Sequence, residues 1–163
     1  MENTNYLYAE TTEKIIGCAM KVHTYLGYGF TPFFNFIFGS REGYAVQEVI
    51  YQRALEIELR KQGVEFKREF SMNIYYENHK IGARRVDFLV NECISLEIKA
   101  TQNLDSVHFA QAQNYMEAYN LQVGLLINFG EKSLRFRRLS NNKFKSLESS
   151  QNFNNLNNHN NPL

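Results

Sequence analysis

Two early stretches carry apolar residues at helical spacing. In residues 11–26, TTEKIIGCAMKVHTYL, Ile15, Ile16, Ala19, Met20, Val22 and Leu26 fall near one side, after threonines able to cap and before Gly27 as a stop. A second helix is predicted from Val46 to Gln62, ending on Gly63 with Arg60 and Lys61 in its last turn. From Glu65 to Ala100 β-branched and aromatic residues dominate, with breaks at ENHK and NE, so three consecutive antiparallel strands are expected. Behind Asp105 as a cap, SVHFAQAQNYMEAYN returns to helical spacing. LQVGLLINFG then reads as a buried strand and SLRFRRL as a last one. The order α-α-βββ-α-β-β predicts an α/β chain, with a mixed central β-sheet flanked by α-helices.

Two segments depart from this plan. Residues 31–46, TPFFNFIFGSREGYAV, crowd five large apolar side chains between Pro32 and Gly39, too few to span a bilayer. They are expected to form an inserted loop or strand over part of the core, with a membrane-touching or self-associating patch as the alternative. Residues 147–163 are rich in asparagine and nearly uncharged, and are expected to be a disordered tail. Residues 1–146 then form one domain.

Composition narrows the function classes. The formal charge of +1 supplies no field over the whole protein to attract a polyanion, so phosphate contacts would need local clusters of base. Lys132, Arg135, Arg137, Arg138, Lys143 and Lys145 form one such cluster, unless they merely protect a solvated edge strand. Cys18 and Cys93 lack zinc-binding or redox spacing and are expected to be buried thiols. No start resembles a signal peptide and no apolar run is long enough to span a membrane, so a cytoplasmic protein without membrane association is expected.

The candidate chemistry lies in ISLEIKA. Along a strand Ile94, Leu96 and Ile98 face one way while Ser95, Glu97 and Lys99 face the other. In the strand before it, Val86, Phe88 and Val90 are expected to share a face, with Asp87 opposite them. A tight turn at Asn91 and Glu92 would set Asp87 beside Glu97 or Lys99. A wet strand face would explain the acid and the base equally well, but helices on both sides leave little room for one, and unpaired buried charge is costly. On the second helix Glu48 falls between Leu55 and Leu59 on the helical wheel and so leans toward the apolar side. Converging carboxylates beside a lysine form a hard-oxygen site suited to Mg²⁺ or Mn²⁺ and to phosphodiester hydrolysis.

Asp87 followed by Glu97-Ile98-Lys99 resembles the D...(D/E)-x-K core of the PD-(D/E)XK nuclease superfamily, whose restriction-endonuclease-like fold wraps helices around a mixed sheet. Within it the chain looks like the GxxExxY family of small bacterial proteins, through VQEVIYQRALEIELRKQG around Glu48 and Tyr51, YYENHKIGARRVDFLV, LEIKA and GLLINFG. The resemblance covers roughly residues 12–140 and implies that Asp87, Glu97 and Glu48 bind the metal while Lys99 positions or activates the attacking water. Gln111 and Tyr115 resemble the Q-x-x-x-Y element of RecB-like exonucleases and would position a substrate strand, DNA rather than RNA. Tyr115 as core packing, with Gln111 capping a backbone group, is the bland alternative. His23 and His108 are structural or, failing that, accessory to the site. Val86 stands where the superfamily name has proline. Residues 31–46 interrupt the family pattern just before Glu48, with Ala45 at the glycine position. A non-catalytic nucleic-acid-binding or assembly module that keeps this fold is the competing reading, and homo-oligomerisation stays open.

Overall fold

The computed structural model describes residues 8–28 and 40–144, with the side chains of 40–46 left aside. Helix α1 (Ala9–Leu26) and α2 (Ser40–Lys61) are followed by β1 (Phe66–Tyr76), β2 (His79–Val90), β3 (Ile94–Lys99), α3 (Ser106–Ala118), β4 (Val123–Asn128) and β5 (Arg135–Ser140). The five strands form one sheet in the order β1-β2-β3-β4-β5. Only β3 and β4 run parallel, joined by α3, and the other neighbours are antiparallel. This is the mixed, helix-flanked sheet that the sequence order predicts.

Local chemistry sets most element ends. Gly27 and Gly63 take left-handed backbone after α1 and α2, with φ of 70° and 65°. Asp105 caps α3, its Oδ1 accepting from the Val107 and His108 N–H groups at 3.0 and 3.1 Å. The turns at Glu77-Asn78 and Asn91-Glu92 both use positive φ. The start of α1 differs from expectation. Tyr8 is the N-cap residue and makes no side-chain cap, while Thr12 Oγ1 donates back to the Tyr8 and Ala9 carbonyls. Helix α2 starts at Ser40, six residues before the predicted Val46. The last part of the supposed insertion is therefore helical, and the rest of it, like the asparagine-rich tail, lies outside the described residues.

The main core fills the space between α1, α2 and one face of the sheet, with Ile15, Tyr51, Leu55, Leu59, Phe88, Leu96, Ile98, Ile127 and Phe129 fully buried. A smaller cluster under α3 contains Val86, Leu89, Tyr115, Met116 and Leu121. Here the alternation predicted for β2 fails: Phe88 and Val90 belong to the first cluster, whereas Val86 belongs to the second. The cause is a break in the β1–β2 hairpin. Glu69 adopts φ 49°, and the ladder resumes beyond it at Phe70↔Val86. Non-glycine residues at positive φ interrupt the pleat, so the hairpin changes face at this point. Asp87 sits at the crossing.

Of the two cysteines, Cys18 is buried as expected, while Cys93 is only half-buried; both are free thiols. Among the described residues no helix is long and apolar enough to cross a membrane.

Candidate active site

The β2–β3 ladder runs from Val90↔Ile94 to Phe88↔Leu96 and stops there. Beyond it, Asp87 Oδ2 accepts the Ile98 N–H at 2.7 Å, so a side-chain carboxylate takes over where a main-chain carbonyl would continue the ladder. Asp87 Oδ1 accepts from Gln52 Nε2 of α2, also at 2.7 Å. These two bonds bring the acid of β2 to the C-terminal end of β3, where Glu97 and Lys99 lie.

Glu97 is 5% exposed, and its Oε1 is buried with no hydrogen-bond partner among the described residues. Burial, then the charge of Asp87, pushes its carboxyl well above the usual range, against the opposing pull of Lys99. Asp87 is raised chiefly by burial, with the Ile98 N–H and Lys99 opposing. Lys99 Nζ lies 3.9 Å from Glu48 Oε1, and both side chains are largely shielded. Burial raises Glu48 to about 7, with Lys99 lowering it and Asp87 raising it. Glu48, Asp87, Glu97 and Lys99, drawn from three elements, thus share one electrostatic neighbourhood. Three raised carboxyls beside a lysine are the pattern expected of a functional site rather than a wet surface.

The far side of this neighbourhood is held by β4. Buried Asn128 accepts from Thr101 N–H at 3.0 Å and Gly130 N–H at 3.2 Å through Oδ1, and donates to the Thr101 carbonyl at 2.9 Å through Nδ2. Phe129 N–H donates to the Lys99 carbonyl at 2.7 Å. A Cβ on Gly130 would stand 2.3 Å from the Thr101 carbonyl oxygen, so only glycine permits this approach. Tyr51 closes the arrangement, with its hydroxyl on the Gly27 carbonyl at 2.7 Å and its ring stacked 4.6 Å from Phe129. Much of what the GLLINFG and Glu48–Tyr51 stretches contribute is therefore fixing the end of β3.

The matching sequence family can now be set beside this geometry. A family model of the PD-(D/E)XK nuclease superfamily matches residues 37–139, well over half of the chain. The chain belongs to the PD-(D/E)XK nuclease superfamily. No curated protein matches it. It is similar to the crystal structure of SSO0001, with 16% identity and a TM-score of 0.49 over 72% of this chain, and it spans 62% of that protein's length.

Superfamily members generally use divalent metals, and the donors in this site have the right chemistry for one. Glu97 Oε1 and Gln52 Oε1 are buried oxygens without hydrogen-bond partners, the kind of hard donor that Mg²⁺ or Mn²⁺ satisfies. Among the described residues no three acid, histidine or cysteine side chains yet converge as a ready cluster. Ionisation of the raised carboxyls is what would draw them onto a cation.

The remaining candidates divide. Gln111 Nε2 donates to Tyr115 Oη at 2.7 Å, and Arg84 Nη1, absent from the sequence-based candidates, donates to the same oxygen at 3.1 Å. The Tyr115 ring is buried in the α3-side cluster, and among the described residues the Gln111 side chain bonds that tyrosine rather than a backbone group. Together with Ile74, Val107, Asn114 and Tyr119, these residues line a groove of about 490 Å³. His108 Nδ1 accepts from Asp105 N–H in the α3 capping box, and His23 Nε2 meets the Glu131 carbonyl at 2.9 Å, so both histidines are structural. On edge strand β5 and beyond, Arg135 pairs with Glu131, Lys143 pairs with Glu117 and Arg137 lies over the Phe109 ring. Much of the basic cluster is thereby engaged within the protein. Lys145 lies outside the described residues.

Proposed function

We propose that this chain is a metal-dependent nuclease of the GxxExxY type that hydrolyses phosphodiester bonds in DNA, in the cytoplasm. The observation that carries the reading is that Asp87, held on the Ile98 N–H, and Glu48, 3.9 Å from Lys99, border the buried Glu97, whose Oε1 has no hydrogen-bond partner among the described residues.

Asp87 and Glu97 would hold Mg²⁺ or Mn²⁺, and Glu48 would complete or tune the set. Bound there, the ion supplies Lewis acidity to a phosphoryl oxygen and acidifies a bound water. Lys99, tethered near Glu48, orients the attacking water or stabilises the charge that develops on the phosphorus oxygens. Glu48, with a pKa of about 7, changes charge near neutral pH and can exchange a proton with water beside Lys99. The groove lined by Arg84, Gln111 and Tyr115 would seat the substrate strand, with the Arg84 guanidinium suited to a phosphate and the tyrosine to sugar or base. The preference for DNA rests on the resemblance of Gln111 and Tyr115 to the RecB-like element.

The test is cleavage of labelled single-stranded, duplex and branched DNA, and of RNA, with Mg²⁺ or Mn²⁺, by the wild type, Lys99→Ala and Glu97→Gln. Cleavage that both substitutions abolish supports the nuclease. A folded, metal-saturated wild type inert on every substrate would replace it with the binding-module reading.

A further inference from the structure

Gln52 lies in the stretch around Glu48 and Tyr51, but the motif spacing there assigns it no role. It lies four residues after Glu48 on α2, hence on the same helix face, and is 5% exposed. Its two amide atoms behave differently. Nε2 donates to Asp87 Oδ1 at 2.7 Å, while Oε1 is buried with no hydrogen-bond partner among the described residues. A buried carbonyl left unpaired forfeits about 1 to 3 kcal/mol, so such an atom calls for a missing donor or cation. The amide is planar, so Oε1 sits within a few ångströms of the Asp87 carboxylate. Glu97 Oε1 is likewise buried and unpaired. Asp87, whose Oδ1 accepts from Gln52 and whose Oδ2 accepts from the Ile98 N–H, thus neighbours two residues that each carry a buried oxygen without a partner among the described residues.

We infer that Gln52 is an oxygen donor of the metal site, its carbonyl facing the bound cation while its amide nitrogen holds Asp87 in place. The inference rests on the metal-dependent reading above. It adds a neutral donor to the acidic set. An amide carbonyl contributes field without charge, which suits a position where a fourth carboxylate would repel Asp87 and Glu97 before the metal arrives. The flat amide also explains how one side chain serves both tasks. The nitrogen side can only donate and the oxygen side can only accept, so Asp87 and the cation select its orientation between them.

The experiment is calorimetric titration of Mn²⁺ into the full chain without substrate, comparing wild type with Gln52→Leu, Gln52→Glu and Asp87→Asn. Gln52→Leu, of similar volume, is expected to weaken Mn²⁺ binding about 10- to 100-fold, the usual loss when a residue supporting a metal ligand is removed. Gln52→Glu is expected to bind Mn²⁺ more tightly than wild type, and to melt lower without metal because its carboxylate faces Asp87. Mn²⁺ affinity in folded Gln52→Leu within about twofold of wild type overturns the inference. Should Gln52→Leu fail to fold, Gln52→Glu decides, and an affinity equal to or weaker than wild type sinks it. Asp87→Asn separates the two levels. If it binds as well as wild type, or if wild type itself does not bind, the metal reading falls and Gln52 with it. If Asp87→Asn is silent while Gln52→Leu binds normally, only Gln52 is lost.

Discussion

Lys99 Nζ stands 3.9 Å from Glu48 Oε1, joining the last residue of β3 to α2 across a largely shielded site. The separation is too long for a tight hydrogen-bonded pair and short enough for strong mutual influence at reduced dielectric. Lys99 keeps part of the negative charge of Glu48 available, and Glu48 fixes where the ammonium sits.

Lys99→Met should therefore separate chemistry from metal binding. Removing a cation from beside the carboxylates leaves Mn²⁺ affinity equal to or tighter than wild type, while cleavage falls by about a hundredfold or more. Calorimetry and single-turnover cleavage on the same preparation check both halves. Weakened Mn²⁺ binding would contradict this role.

The raised pKa of Glu48 fixes a pH dependence. Its folded value of about 7 stands above its ordinary 4.5, so the folded state holds the proton more tightly than the unfolded chain. That contribution is fully present below about pH 4.5 and is lost as pH rises through about 7. Asp87 and Glu97 are raised as well and act in the same direction. Metal-free protein is expected to lose stability between pH 5 and 8, and Glu48→Gln should flatten the curve by up to about 3 kcal/mol. Mg²⁺ binding should strengthen over the same range. Urea unfolding at several pH values, with and without Mg²⁺, measures each.

Substitutions at Asp87 should differ by what they leave for Ile98. Asparagine still offers an oxygen to the Ile98 N–H, and the Gln52 amide can turn over to accept from its nitrogen. Alanine leaves the N–H without its acceptor. Asp87→Ala is expected to destabilise the fold by about 1 to 3 kcal/mol and Asp87→Asn by less, while both lose activity. Urea midpoints of the two variants test the ordering.

Asn128 and Gly130 should matter to activity without touching substrate. Asn128→Ala strips partners from the N–H groups of Thr101 and Gly130 and from the Thr101 carbonyl, a loss of roughly 2 to 4 kcal/mol. Gly130→Ala forces the chain away from Thr101. In both variants kcat should fall with little change in KM, since the end of β3 shifts while the substrate groove is untouched. A change confined to KM would show that β4 does not position Lys99.

Tyr115→Phe keeps the buried ring and removes the oxygen shared by Gln111 and Arg84. KM for DNA is expected to rise several-fold with kcat and melting temperature nearly unchanged. Steady-state kinetics on a short labelled strand provides the check.

Much of this site was legible from local chemistry. Hairpin arithmetic around Asn91-Glu92 brings Asp87 to Glu97, and the helical wheel leans Glu48 inward, because turns and periodicity are short-range rules. The change of face at Glu69 was not legible: alternation assumes uniform backbone, and nothing in the residue type announces φ 49°. That is why Val86 left the face assigned to Phe88 and Val90. Gln52, Arg84 and Asn128 were missed for another reason. Each works through a partner distant in sequence, and a single polar residue in a helix or an apolar strand carries no periodic signal. For Gln52 the one available hint was its spacing of four from Glu48.

The carboxylate that ends the β2–β3 ladder gives Asp87 a place in the architecture whether or not a bond is ever cleaved. A descendant chain that abandoned catalysis would still be under pressure to keep an acceptor there. The aspartate is thus a poor witness to activity, although the superfamily is named for it. Glu97 Oε1 is the better one: among the described residues no hydrogen bond holds this buried oxygen, whereas a bound cation would.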